Sequence, residues 1–450
     1  MKTDENYMRQ EDTKELFDVI GYFGSWQRRI FFIAFISLMA HCWHVLAMLF
    51  LAPNIDHWCQ RPTTYSNIST DQWKDLAIPR VQSKNDSGIY SSCLVYKNFT
   101  SHMKEENSTT ACASWEYDNS FYTSTIIDEW DLVCENDWLP SMSTSLYMGG
   151  FMTSVFISGQ LSDRYGRRPI ILFGGIIFLA SGFACAFSTS FLMFNILRFL
   201  VAFGASGTVL TIIILLLEVI GPEYRSILGI CYQFGWALGY TILPGVAFLV
   251  KKWRHFQLII SVPWILLCSI WWFLPESPRW LLSHGKVKLA EKEIRNAARV
   301  NGKIVSNWQV IMAQLMTKEK QEEEMKRNRQ ATFLDLFKTP NMRKKSLNNF
   351  LFWFVNAFTY YGLSLHTNDM GGNPLINFFI AGTLEFPANI IGFILIKHVG
   401  RRISLMALMV VGGVACLLTV PVSDSKPFFL SLISLLLFRF WTIRCLLHIV

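Results

Sequence analysis

Long apolar blocks recur along this chain, each of the length that crosses a hydrocarbon layer. A helix needs about 20 mainly apolar residues to span roughly 30 Å of lipid. About ten stretches qualify, near 30–52, 139–160, 170–187, 191–217, 228–250, 256–274, 349–365, 375–396, 403–420 and 428–445. Inside lipid a backbone must satisfy its own hydrogen bonds, so such a chain is expected to fold as a bundle of spanning helices, all-α and polytopic. Composition agrees: 52% hydrophobic, 15% aromatic and 16% charged over 450 residues leave too little polar surface to solvate a soluble fold of this size.

Charge sets the expected orientation. Residues 1–29 are polar before a first apolar block of full length, so no cleavable signal peptide is expected and the N-terminus stays cytoplasmic. Segment 53–138 is acidic and poor in Lys and Arg, whereas 275–348 carries an excess of both, which makes the first extracellular and the second cytoplasmic. Four cysteines in the acidic segment, Cys59, Cys93, Cys112 and Cys134, lie beside glycosylation sequons at Asn67, Asn85, Asn98 and Asn107. Both features belong on the oxidising side. Four cysteines allow three connectivities, and all three stay open. Cys42, Cys185, Cys231, Cys268, Cys416 and Cys445 fall within spans and read as small buried hydrophobes.

The spacing of the spans is uneven. One span, a large extracellular segment and five closely spaced spans make a first half, 30–274; a cytoplasmic loop, 275–348, leads to an incomplete second half, 349–450. That is a six-plus-six plan, in which two halves rock around a midplane site. Helical spacing of charges over 286–298 and again over 319–329 is expected to give solvated helix faces in the central loop.

Between the second and third spans runs Gly159-Gln160-Leu161-Ser162-Asp163-Arg164-Tyr165-Gly166-Arg167-Arg168. Its glycines suit a tight turn, Asp163 a helix N-cap, and the arginines a cytoplasmic interface where they meet acids of neighbouring helices. A plain positive-inside loop accounts for the arginines but not for Gly, Asp and Gly at these offsets. The motif resembles the signature of the major facilitator superfamily, which implies a six-plus-six helical fold and an intracellular latch favouring the outward-facing state. Lys397-His398-Val399-Gly400-Arg401-Arg402 is a degenerate echo, as an internal repeat requires.

Three further motifs narrow the resemblance: Gly21-Tyr22-Phe23-Gly24-Ser25-Trp26-Gln27; Trp115-Glu116-Tyr117-Asp118 leading to Ser124-Thr125-Ile126-Ile127-Asp128-Glu129-Trp130-Asp131-Leu132-Val133-Cys134; and Pro275-Glu276-Ser277-Pro278-Arg279-Trp280-Leu281, whose Pro-Glu-Ser-Pro-Arg sugar porters share. Together, over about 18–422, they resemble the organic cation/carnitine/organic anion transporter family. The resemblance implies that Glu218 and Arg225 join Gly159, Asp163, Arg164, Gly166, Arg167 and Arg168 in a gating charge pattern.

An ionisable residue inside a span is costly and faces a cavity by default, which singles out Glu385, Arg198, His41 and His44. Glu385, in Leu384-Glu385-Phe386-Pro387, sits beside a helix-breaking Pro, where it attracts a cationic substrate or, equally, locks two helices by an ion pair. Arg198 and the histidines read first as structural. Ring faces attract organic cations by about 0.5–2 kcal/mol each, and the seventh span offers Trp353, Phe354, Phe358, Tyr360 and Tyr361, the fifth Tyr232, Gln233, Phe234 and Trp236. Lipid contact is the ordinary role of many of these. The family resemblance implies that Gln233, Trp236, Trp353, Tyr360 and Glu385 line the binding cavity, while the Lys and Trp that some members carry in the fourth span are Ser206 and Val209 here.

Twelve spans are expected of the family and about ten are counted here. After Leu437 the expected Glu-Leu-x-Pro-Thr loop is replaced by residues 438–450, so the last two spans are expected to be missing, among them the helix whose charge separates cation from anion carriers. The expected function is transmembrane transport of small organic cations by alternating access, a uniport driven by the membrane potential. The alternatives are an organic anion exchanger, a sodium-coupled carnitine or zwitterion carrier, or an inactive short form acting as a non-transporting partner. No Walker motif, triad or metal-ligand spacing occurs, so neither catalysis, cofactor nor metal is expected. The expected setting is the plasma membrane, with a small organic ion and the bilayer as partners, no nucleic acid, and homo-oligomerisation through the extracellular loop as the resemblance implies.

Overall fold

The computed structural model describes residues 16–83, 86–97, 109–269, 273–305, 307–327, 335–365 and 373–419. The chain enters through a short helix, α1 (Leu16–Ile20), and turns at Gly21, whose φ of +86° suits glycine. The first crossing is α2 (Ser25–Leu46), extended by α3 (Met48–Leu51). Gln27 closes the start of α2 by donating to the Gly21 carbonyl and accepting from the Gly24 amide.

Segment 53–138 is not featureless loop. It holds β1 (His57–Cys59), α4 (Thr70–Ala77), β2 (Arg80–Ser83), β3 (Asp86–Tyr90), β4 (Leu94–Tyr96), β5 (Thr109–Ala111), β6 (Trp115–Tyr117) and α5 (Ile126–Trp130). The strands pair antiparallel as β1 with β6, β2 with β3 and β4 with β5, so the all-helical expectation needs these ribbons added. Strands this short make no self-sufficient sheet. Two disulfides, Cys59–Cys112 and Cys93–Cys134, and a small core of Trp58, Trp73, Ala77 and Ile78 hold them. The open question of connectivity is thereby answered. Asn67 is exposed; Asn85, Asn98 and Asn107 lie outside the described residues.

The remaining helices of the first half are α6 (Leu139–Tyr165), α7 (Arg167–Cys185), α8 (Phe191–Val219), α9 (Pro222–Leu249) and α10 (Trp253–Ser269). Beyond them come α11 (Pro278–Ser283), α12 (Val287–Val300), α13 (Trp308–Arg327) and α14 (Asp335–Lys338), then α15 (Pro340–Leu365), α16 (Pro374–Thr383), α17 (Glu385–Val399) and α18 (Arg401–Thr419). By length and composition, five helices among the described residues suffice to cross a membrane: α2, α7, α8, α9 and the α16–α17 pair. The expected tenth span, 428–445, lies outside the described residues.

Lipid provides no hydrophobic drive between helices, so close backbone approach has to hold them together. A Cβ on Gly204 would sit 2.6 Å from the Gly174 carbonyl, and one on Gly235 would sit 2.6 Å from the Phe35 carbonyl; only glycine lets α8 meet α7 and α9 meet α2 so closely. Across the two halves, α16 packs on α9, where Phe378 stands edge-on to Tyr240 at 4.2 Å and to Phe50 at 5.0 Å.

Two expectations need correction. Helices α9 and α15 begin well before 228 and 349, because each continues out of the apolar zone through charged turns, Glu223 and Arg225 in one, Arg343, Lys344 and Lys345 in the other, which hydropathy discounts. In the central loop α12 does not merely present a solvated face. Ala290, Ile294, Ala297 and Ala298 are buried, and Asn301 just beyond it accepts from the Trp26 amide at 2.8 Å and donates to the Ile20 carbonyl at 2.6 Å. The second loop helix, α13, starts at Trp308 rather than 319, and Ile311, Met312 and Leu315 bury its first turns.

Candidate functional site

The eighth crossing is broken. Pro387 has no amide hydrogen to donate back to Thr383, and the chain divides into α16 and α17 with Leu384 between them. Glu385 therefore occupies the first turn of α17, where the helix dipole favours a negative charge. Its side chain is buried, 4% exposed. Tyr360 of α15 donates to its Oε1 at 3.1 Å, and Trp236 of α9 donates through Nε1 to the Tyr360 hydroxyl at 2.8 Å. A single hydrogen-bonded chain thus runs from the first half to the carboxylate of the second. Tyr361 stands edge-on to Tyr360, centroids 5.3 Å apart.

His41 joins this group from α2, its ring 6.2 Å from Trp236 and 6.0 Å from Phe151, with Nδ1 buried and unpartnered. His44 is turned away: its Nε2 lies 3.2 Å from the Ile260 carbonyl and its ring meets Phe178 edge-on. Gln233 and Trp353 are half-buried on α9 and α15 and make no hydrogen bond to the chain of three among the described residues. Ser206 and Val209 are buried in α8, and the Ser206 hydroxyl has no partner.

The second cluster lies at the α6–α7 turn. Gly166 takes φ +109° and ψ 164°, a conformation that is essentially glycine's alone. Arg167, its side chain 8% exposed, grips Glu218 of α8 through two nitrogens, at 2.8 and 3.2 Å, and meets Asp163 at 2.9 Å. Sequence reasoning assigns Asp163 to a helix N-cap and Gly159 to a turn. Here Asp163 sits in the last turn of α6, 74% exposed, and Gly159 lies inside that helix with open space around it.

The residue that caps α7 is Glu276, from the Pro-Glu-Ser-Pro-Arg segment. It accepts from the Arg167 amide at 2.9 Å and the Arg168 amide at 3.2 Å, and Trp280 donates to the Asp163 carbonyl at 2.7 Å. Arg164 lies over the Tyr165 ring. Arg225 donates to the Ile220 carbonyl and lies over Phe17, outside the clamp.

Residues 77–441 match the family described as "Sugar (and other) transporter". Solute carrier family 22 member 21 of Mus musculus is 33% identical over 440 residues, covering 93% of this chain and 76% of that one. Organic cation/carnitine transporter 2 of Rattus norvegicus gives the same figures, and an organic cation transporter protein of Drosophila melanogaster is 33% identical over 408 residues, 89% of this chain and 74% of its own. The chain belongs to the organic cation/carnitine transporter family of the major facilitator superfamily. Its fold agrees: the proton:xylose symporter XylE superposes with a TM-score of 0.59 at 16% identity, over 94% of this chain and 81% of that one. The protein is a multi-pass membrane transporter of small organic substrates, not an enzyme.

Within this transporter the Glu129-Trp130 segment docks the 53–138 domain on the helices. Trp253 donates to Glu129 at 2.7 Å, Arg254 pairs with the same carboxylate, and the Trp130 ring packs among Phe191, Phe194 and Trp253. Burial pushes the nearby Tyr122 hydroxyl up to about 12. Under the domain a cavity of about 1070 Å³ is lined by Met48, Leu49, Trp115, Glu135 and Asp137 among others, at the ends of α3 and α6. Glu276, Asn301 and Glu129 are the working residues that sequence reasoning does not assign. Glu276 and Glu129 lie in recognisable motifs and Asn301 in none, and the partner of each is more than 100 residues away.

Proposed function

We propose that this transporter carries small organic cations, with Glu385 as the residue that holds the positive charge. The observation that carries the reading is the Trp236–Tyr360–Glu385 chain. A buried carboxylate at a helix break, ringed by Trp236, Tyr360 and Tyr361, combines charge attraction with aromatic faces, the two components of organic cation recognition. Because Trp236 belongs to the first half and Glu385 to the second, a cation that competes for the carboxylate also loosens a tie between the halves. Gln233, Trp353 and His41 line the same cavity in this reading. The names of the rat and fly relatives, organic cation/carnitine transporter and organic cation transporter protein, support the substrate class.

In the same reading the protein sits in the plasma membrane with 1–29 and 275–348 cytoplasmic and 53–138 outside, glycosylated at Asn67, Asn85, Asn98 and Asn107. Halves 30–274 and 349–450 alternate access, and the Arg167 clamp with Asp163 and Glu218 serves as the cytoplasmic gate, with Arg225 beside it on Phe17. An inside-negative potential draws a cation inward with about 2.3 kcal/mol per charge per 100 mV, enough for uniport.

The test is uptake of radiolabelled tetraethylammonium by cells expressing this chain, with surface protein quantified. Glu385→Gln should lower kcat/KM at least about tenfold at equal surface density, the scale of a lost buried charge interaction. Tyr360→Phe should lower it about threefold to tenfold, the scale of one hydrogen bond to a charged group. Clamping the membrane potential to zero should abolish accumulation. Saturable uptake that Glu385→Gln leaves unchanged would remove the carboxylate from the cation site.

A further inference from the structure

Arg198 has no part in the cation site or the cytoplasmic clamp. It lies about two turns into α8 and is 0% exposed. Nη1 donates to the His44 carbonyl at 3.2 Å, and the guanidinium stands over the Tyr147 ring, 4.6 Å from its centroid. Nε and Nη2 have no partner, and no carboxylate forms an ion pair with Arg198 among the described residues. Three neighbours repeat the pattern: the Tyr147 hydroxyl, His44 Nδ1 and Asn195 Oδ1 are all buried and unpartnered. Tyr147 is 1% exposed, His44 0% and Asn195 3%.

A guanidinium stays charged in a protein interior. Buried without a counter-charge it is strongly unfavourable, and the face of one tyrosine ring offsets only a small part of that cost. The atoms left over include three donors, two guanidinium nitrogens and a phenol, with an Asn amide that presents its NH2 when flipped; His44 Nδ1 is an acceptor, because Nε2 carries the hydrogen that the Ile260 carbonyl accepts. Water brings no charge to offset the guanidinium. An acceptor-only anion satisfies the guanidinium and phenol donors and supplies the missing charge.

We propose that Arg198, Tyr147 and Asn195 hold a small inorganic anion of the halide class, chloride in physiological solution, between α2, α6 and α8. The named partners of Arg198 all belong to the first half, so the anion neutralises that half internally. A monatomic ion suits an enclosure of fully buried groups, where an organic anion needs a passage.

The test is binding of ³⁶Cl⁻ to the purified full chain by scintillation proximity, with bromide and gluconate as competitors at constant ionic strength. Wild type should bind saturably, with displacement by bromide and not by gluconate. Tyr147→Phe keeps the ring under the guanidinium and removes one donor; it should weaken binding about fivefold, as loss of a hydrogen bond to a charged group does, with an unchanged gel-filtration profile. Arg198→Gln should abolish binding. Monodisperse wild type that holds no displaceable ³⁶Cl⁻ overturns the proposal, and so does equal affinity in wild type and Tyr147→Phe.

Discussion

The turn joining α6 to α7 and the turn joining α17 to α18 share one backbone solution in different surroundings. Gly166 takes φ +109° and ψ 164°, Gly400 φ +87° and ψ 162°, and each is followed by two arginines. At Gly166 a Cβ would collide with Glu276 Oε2; at Gly400 it would meet nothing within 4 Å. Arg167 is buried against Glu218, whereas Lys397 and His398 at the other turn are exposed. The repeated sequence therefore reproduces the bend. The bend needs only glycine's access to positive φ, and the clamp needs Glu218 and Glu276 brought in from other elements.

Substitutions at the two turns can break that contrast. Arg167→Met should have the largest effect, about 4 kcal/mol lost from stability, because it strands the half-buried Glu218 charge without its partner. Thermal unfolding of the purified protein measures it, and a loss below about 1 kcal/mol would reduce the clamp to a surface ion pair. Gly166→Ala should cost about 2–3 kcal/mol, combining a glycine-only conformation with the collision at Glu276. Gly400→Ala meets only the conformational part and should cost about 1 kcal/mol. Equal losses at the two glycines would mean that the clamp adds nothing to the turn.

The smallest expected effect concerns pH. Burial raises the Glu293 carboxyl above its usual range, with Arg168 and Lys292 opposing and Glu276 adding to the rise. A carboxyl whose folded pKa is raised resists ionisation, so it destabilises the fold at high pH and ceases to do so once pH falls below the unfolded value. Glu293→Gln should then raise the melting temperature at about pH 8, with the gain disappearing below about pH 4. A gain independent of pH would point to packing instead of charge.

Much of the helical plan is legible in the sequence. The spans of α6, α7 and α8 fall close to their expected places because a run of about 20 apolar residues has few alternatives in lipid. Trp236, Tyr360 and Glu385, which the family resemblance singles out, meet in one hydrogen-bonded chain. Gln233 and Trp353, singled out on the same grounds, do not join it. Asp163 reads as a cap because its type favours caps, yet Glu276 wins the α7 N-terminus: it arrives from the end of the first half with both oxygens aimed at the free amides. The ribbons of segment 53–138 are not legible in the same way, because strands of three to five residues carry little periodic signal and are held by disulfides.

The sequence by itself determined that this chain lives in lipid, that its halves repeat, and where its glycines let the backbone turn, because hydropathy and φ preference are properties of single residues and short runs. Only the tertiary structure decided which charges are paired. Pairing depends on which side chains converge after folding, and Glu276 with Arg167, Trp236 with Tyr360, and Arg198 with no acid at all among the described residues are outcomes that no local pattern contains.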